Sequence, residues 1–298
     1  MTIYSQISSN KAKTFLIMFL FVIFITTLLF VYGKATGYGL SFVGIALIIS
    51  GLMSLGSYYY SDRIILGISR AKQIQKKDNP ELFRIVENLA IGDGIPIPRI
   101  YTIDDSAPNA FATGRNPKNA VVCVTSGILQ KLNKAELEGV IAHELSHVKN
   151  YDIRLMAIVA VLVGMVALLA DFFMRSFLFG RRDREEGGGN AQAIFMIIGI
   201  VFMILSPIVA TLIQLAVSRK REYLADASGA LLTRYPEGLA SALEKISRDH
   251  EPLEVANSAT AHLYITNPVK GKNVGNLFAS LFNTHPPIEE RIKILRSM

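Results

Sequence analysis

The 298-residue sequence predicts an α+β fold, a mainly helical domain with a small β-sheet attached to membrane-spanning helices. Three observations lead there. Two uncharged apolar runs near the N-terminus, 14–32 and 38–57, are each about as long as a bilayer core requires. Between 100 and 125, short runs rich in β-branched residues are broken by Gly114, Asn116, Pro117 and Asn119, the pattern of strands joined by a turn. From 133 onward, apolar residues recur at helical spacing around His143-Glu144-Leu145-Ser146-His147.

Taken in order, the chain opens with its membrane elements. A hydrophobic content of 51% is too high for a wholly soluble chain. The first run reads as an uncleaved signal anchor, because it is too long for a signal peptide and no small-residue cleavage pattern follows it. Lys11 and Lys13 precede it, and Arg63, Arg70, Lys72, Lys76 and Lys77 follow the second run, whereas the turn between holds only Lys34. Positive charge collects on the cytoplasmic side, so the N-terminus and the central region are expected there, in an inner membrane crossed more than once. Two further runs, 155–170 and 191–217, form a second hydrophobic pair. The first closes on Asp171 and could be re-entrant or interfacial; the second is long enough to cross despite Pro207. Arg175, Arg181, Arg182 and Arg184 lie between them, a contrary signal if both cross. The expected organisation is therefore an N-terminal hairpin (1–60), a first part of the globular domain (61–154), the second hydrophobic hairpin (155–217) and a second part of the domain (218–298).

Within the domain, 80–90 reads as a helix and 92–98 as a turn-rich break. A strand follows at 100–103, then a hairpin from 109–113 and 120–125. Helices are expected at 218–232 and 237–249, interrupted at Tyr235-Pro236, with strand or loop at 259–267, a helical patch at 274–282 and a basic-ended helix at 287–298. Cys123 is the single cysteine, expected in a buried strand and consistent with a reducing compartment. The net charge of +7 comes largely from juxtamembrane or scattered residues without a nucleic-acid-binding motif, so the expected partner is the lipid bilayer and not nucleic acid.

The chemistry concentrates at His143 to His147. On a helix, residues four apart share one face, so both imidazoles can reach one metal ion while Glu144 stands beside it, the H-E-x-x-H pattern of metalloproteases. Asn133 with Glu136 reads as the N-cap of this helix, and Leu137, Ile141, Leu145 and Val148 as its buried stripe, leaving the histidines to face a cleft. A catalytic zinc site needs a third protein ligand, for which Glu222 is the best candidate. Asp226 shares its helical face and can orient a ligand imidazole. The alternative for this pair is a charge network with Arg219 and Arg221. The expected cofactor is one zinc per chain, with Glu144 as proton acceptor for the attacking water. His250 and His262 read as surface or satisfied core residues. The strand Asn109-Ala110-Phe111-Ala112 is a candidate template to which an extended substrate adds, or else an ordinary edge strand.

These features together resemble the HtpX family of membrane-bound zinc metalloproteases, related to the type I CAAX prenyl proteases. The similarity runs through both N-terminal apolar segments, Asn109-Ala110-Phe111, the 143–147 motif, the second apolar pair, Glu222 to Asp226, and a tail with His285-Pro286 and Arg291-Ile292. It implies a zinc-dependent endopeptidase of membrane-protein quality control, facing the cytoplasm and acting on membrane-protein or unfolded polypeptide substrates. It also implies that His285 helps stabilise the oxyanion and that Arg291 supports the site; the alternative for His285 is a helix-entry residue before Pro286 and Pro287. Two rivals are a prenyl-protein protease, against which the short chain and modest number of apolar segments argue, and a noncatalytic scaffold with a structural zinc, which would have no need of Glu144. At about 1.5 Å per residue, continuous helices would put Glu222 about 8 Å beyond 217 and His147 about 12 Å before 155, close to the cytoplasmic membrane surface.

Overall fold

The computed structural model describes residues 3–36, 41–179, 219–256, 260–266, 268 and 286–298. Two long helices, α1 (Ile3–Thr36) and α2 (Ser41–Ile68), pack side by side, and both contain stretches long and apolar enough to cross a bilayer, Ile7–Leu28 and Val43–Ile68. Their outward residues, such as Phe19, Leu20, Ile48 and Leu52, remain exposed, as a lipid-facing surface requires. The chain then forms a two-residue strand β1 (Lys72–Gln73), helix α3 (Pro80–Asp93), strands β2 (Arg99–Ile103), β3 (Ala110–Thr113) and β4 (Val121–Thr125), and helices α4 (Ser126–Lys131), α5 (Lys134–Lys149) and α6 (Asp152–Phe179). After the second hydrophobic pair come α7 (Arg219–Thr233), α8 (Pro236–Arg248) and α9 (Ile288–Leu295). The predicted α+β class, mainly helical with a small sheet on membrane helices, holds.

The sheet order is β1-β2-β4-β3: β2 and β4 run parallel, and the other two pairings are antiparallel. The 3₁₀ turn Pro117–Asn119, capped by the Asn116 side chain, closes the expected β3–β4 hairpin. Alternation along these strands feeds two cores. Ile103, Phe111, Val121 and Cys123 face the cluster made with α1, α2 and α6, while Ile100, Ala110, Ala112, Val122 and Val124 face the helical layer of α3, α5, α7 and α8. A sheet buried on both faces needs continuous apolar strands, which explains the unbroken Val-Val-Cys-Val. Cys123 is buried in β4, as expected.

Several expectations change. Strand β1 was not predicted; its two residues are exposed and carry no alternating pattern. Of the strand and loop readings for 259–267, the loop holds over the described part: 260–266 is a 3₁₀ turn (Ala261–Leu263) with buried flanks. The run beginning at 155 lies within a helix that extends from Asp152 to Phe179, with Leu155 to Val163 buried against the other membrane helices and the sheet. Continuity of the motif helix into that run is broken: Tyr151 has a φ of 60°, and α6 leaves at 84° to α5. The 12 Å step therefore does not apply. Arg175, expected in the arginine-rich loop, lies within α6; Arg181, Arg182 and Arg184, the run 191–217, the 274–282 patch and His285 lie outside the described residues.

Candidate active site

Helix α5 forms where the sequence places it. The Asn133 side chain accepts from the Glu136 N–H at 3.0 Å and the Glu136 carboxylate accepts from the Asn133 N–H at 2.8 Å, a reciprocal cap. Leu137, Ile141, Leu145 and Val148 are buried in the helical-layer core. The adjoining face holds His143 and His147, buried to 1% and 4% exposure. The expected open cleft is thus an interior site, roofed by α7.

Close approach of α7 makes this possible. Glu222, Asp226 and Gly229 recur at i, i+4 and i+7, so one face of α7 meets α5. At Gly229 a Cβ would lie 3.0 Å from the His143 backbone nitrogen, leaving no room for a larger residue without separating the helices. Glu222 then reaches both imidazoles: His147 Nε2 lies 3.4 Å from Glu222 Oε1, His143 Nε2 3.8 Å from Glu222 Oε2, and the two Nε2 atoms 3.3 Å apart. Ligand atoms about 2.0–2.1 Å from a tetrahedral ion sit about 3.4 Å apart, so these spacings suit one small cation. Among the described residues, His143, His147 and Glu222 are the one group of three or more His, Cys, Asp or Glu whose ligand atoms converge within 4.8 Å.

The surrounding groups prepare these atoms for a cation. His143 Nδ1 lies 2.9 Å from Asp226 Oδ1, close though not aligned as a linear hydrogen bond. Arg291, wholly buried, clamps Asp226 through Nε to Oδ2 at 2.8 Å and Nη2 to Oδ1 at 2.7 Å. Burial favours a protonated Asp226, but Arg291 and His143 outweigh it and hold its carboxyl below the ordinary range. Burial also lowers His143, against the pull of Asp226, and so favours the neutral ring. His147 differs: burial would lower it, yet Asp152 and Glu222 raise it well above the usual value. Glu222, on the Nε2 side, would equally hold a metal cation, while Asp152 faces Nδ1 on the other side of the ring.

Glu144 is 2% exposed. Desolvation pushes its carboxyl up to about 7; His147 opposes this, Glu222 reinforces it, and the Ala112 N–H, donated to the carboxylate, opposes it again. Glu144 thus stands between the metal-ligating cluster and β3. That strand is an edge of the sheet, as expected, but the side chains of Asn109, Ala110, Phe111 and Ala112 are all buried. Asn109 Nδ2 donates to the Thr266 carbonyl at 3.3 Å, and Phe111 packs edge-on to Tyr264. Ile265 N–H donates to the Ala110 carbonyl at 3.0 Å, so the 260–266 segment already covers part of the outer edge. Burial hides this from the sequence, since a covered strand and a template strand read alike.

Asp152 was missed. Its Oδ2 lies 3.1 Å from His147 Nδ1, giving the second imidazole the carboxylate partner that Asp226 gives the first. A spacing of five does not face the motif on a straight helix; the turn at Asn150 and Tyr151 folds it back. Arg221, read as part of a possible charge network with Glu222 and Asp226, bonds Asp152 Oδ1 at 3.2 Å. His262 is buried with Nε2 on the Met156 carbonyl and His250 is exposed, both as expected.

Residues 76–298 match the family described as peptidase family M48. The chain belongs to that family. Among curated proteins it is 48% identical over 299 residues to a "Protease HtpX homolog" of Dictyoglomus thermophilum, covering 100% of this chain and 95% of that one. A protein of the same description from Tropheryma whipplei is 48% identical over 295 residues, covering 99% and 98%. The family resemblance read from the motifs therefore holds over the full length, and the chain is a membrane protease of a metalloprotease family. The crystal structure of Ste24p from S. mikatae superposes with a TM-score of 0.52 at 20% identity, covering 98% of this chain and 67% of that one; it shares the fold.

Proposed function

We propose that this protein is an integral-membrane zinc endopeptidase that cleaves misfolded or damaged membrane proteins from the cytoplasmic side. The convergence of His143, His147 and Glu222, with Glu144 beside them and β3 beyond, carries this reading. The two nitrogens and one carboxylate oxygen are the donor set of catalytic zinc sites that keep a position open. A zinc ion held there would acidify water and polarise the scissile carbonyl.

The remaining work belongs to the chain. Asp226 and Asp152 fix both imidazoles with Nε2 toward the ion. Glu144 accepts a proton from the attacking water and returns it to the leaving amine, and its raised affinity for protons suits that exchange near neutral pH. The backbone of β3 orients the extended peptide at the end nearest Ala112, where the Ala112 N–H meets Glu144. Packing of α1 and α2 against α6 and the sheet keeps this chemistry next to the bilayer, favouring membrane proteins and their loops over freely diffusing peptides. The basic flanks of the N-terminal hairpin support the cytoplasmic orientation.

The test is cleavage of casein and of a detergent-solubilised membrane protein by the full chain and by Glu144→Gln. Zinc-dependent cleavage that the substitution abolishes is expected. Cleavage that survives Glu144→Gln would refute the assignment of the base.

A further inference from the structure

The first membrane helix reaches the metal-ligating cluster through Asp152. Asn10 lies near the cytoplasmic end proposed for α1 and is 3% exposed. Its Nδ2 donates to Asp152 Oδ1 at 2.7 Å and to the Asn150 carbonyl at 3.0 Å, and its Oδ1 accepts from Arg221 Nη1 at 3.2 Å. Arg221 Nη1 also reaches Asp152 Oδ1 at 3.2 Å. The two Asp152 oxygens are therefore divided: Oδ1 is held by Asn10 and Arg221, and Oδ2 faces His147 Nδ1 at 3.1 Å. One amide joins three elements, α1, the Asn150–Tyr151 turn and the start of α6, and α7 enters through Arg221. The matched family region begins at residue 76, so Asn10 lies outside it.

We infer that Asn10 is a positioning residue for the metal site: it sets the Asp152 carboxylate that orients His147, and so makes the seated membrane helix α1 part of the metal-binding machinery. The inference rests on His147 being a metal ligand, as proposed above. A carboxylate on the free ring nitrogen of a ligand histidine fixes its tautomer and raises its basicity, and losing such a partner costs about 10- to 100-fold in metal affinity. Asn10 acts one bond further out, so its loss costs less than that range, about 3- to 10-fold. Membrane seating and metal affinity are thereby linked: whatever moves α1 relative to α6 and α7 loosens the ion.

The experiment is a double-mutant cycle on zinc affinity, measured by competition with a chromogenic chelator, in the full-length chain in detergent micelles. The variants are Asn10→Leu, Asp152→Asn and the pair, with thermal unfolding recorded for each. If Asn10 acts through Asp152, Asn10→Leu weakens zinc binding about 3- to 10-fold in the parent and has no further effect on the Asp152→Asn background. Should Asn10→Leu not fold, Asn10→Ser, too short to bridge Asp152 and Asn150 together, carries the same comparison. Unchanged affinity in a folded Asn10 variant, or an equal loss on both backgrounds, would overturn the inference and leave Asn10 a packing residue. A parent chain that binds no zinc, or a His147→Ala variant that binds it as the parent does, would instead overturn the metal assignment itself.

Discussion

Replacing Arg291 with methionine separates what the buried charges do for stability from what they do for the metal. Arg291 is wholly buried and makes two charged hydrogen bonds, of 2.8 and 2.7 Å, to Asp226, itself 1% exposed. Arg291→Met leaves that carboxylate inside the protein without its cation, a loss of about 3–5 kcal/mol for a broken buried pair. At about 2.1 cal/mol/K of unfolding entropy per residue, this lowers Tm by roughly 5–8 °C for a chain of 298 residues. Adding Asp226→Asn removes the second charge and recovers much of the stability, since neutral replacement of a whole pair is often close to harmless. Zinc affinity does not recover, because His143 has then lost its carboxylate and binding falls about 10- to 100-fold. Thermal unfolding and chelator competition on the two variants give both quantities. An unchanged Tm in Arg291→Met, or parental zinc affinity in the double variant, would refute the reasoning.

Other outcomes follow from the same geometry. Asp226 titrates below the ordinary carboxylate range in the folded protein, so its stabilisation is full above that range and lost as pH falls through its lowered value; acid unfolding of the parent should show this loss, and Asp226→Asn should lack it. At Gly139 a Cβ would lie 2.6 Å from the Leu239 backbone nitrogen, so Gly139→Ala must push α8 from α5 and should cost about 1–3 kcal/mol, read by thermal unfolding. Gly229→Val should separate α7 from α5 and weaken zinc binding more than it lowers Tm, since it displaces Glu222 and Asp226 from the imidazoles. For the proposed orientation, a single cysteine at the exposed position of Lys118, in a Cys123→Ser chain, should resist impermeant thiol reagents in intact cells; labelling from outside would reverse the topology.

Much of this was legible because local signals carried it. The motif helix announced itself through its cap, its stripe and two histidines four apart, and Glu222 and Asp226 through the same spacing. The β3–β4 hairpin was readable from its turn residues. What escaped depends on where the chain turns. Asp152 stands five residues past His147, and only the left-handed Tyr151 returns it to the ring. Asn10 reads as a stray polar residue before an apolar run, until three elements converge on it. The cover that 260–266 places on β3 likewise comes from distant packing, through Ile265 on Ala110 and Tyr264 on Phe111.

Zinc X-ray absorption on the purified full-length chain, with metal content measured alongside, tests the central claim most directly. One zinc per chain is predicted, with two imidazole nitrogens and a carboxylate oxygen among its ligands and no sulfur. Glu144→Gln should retain this shell, and Glu222→Ala should lose both the oxygen and most of the metal. A parental shell in Glu222→Ala, or sulfur among the ligands, would contradict the site built here from His143, His147 and Glu222.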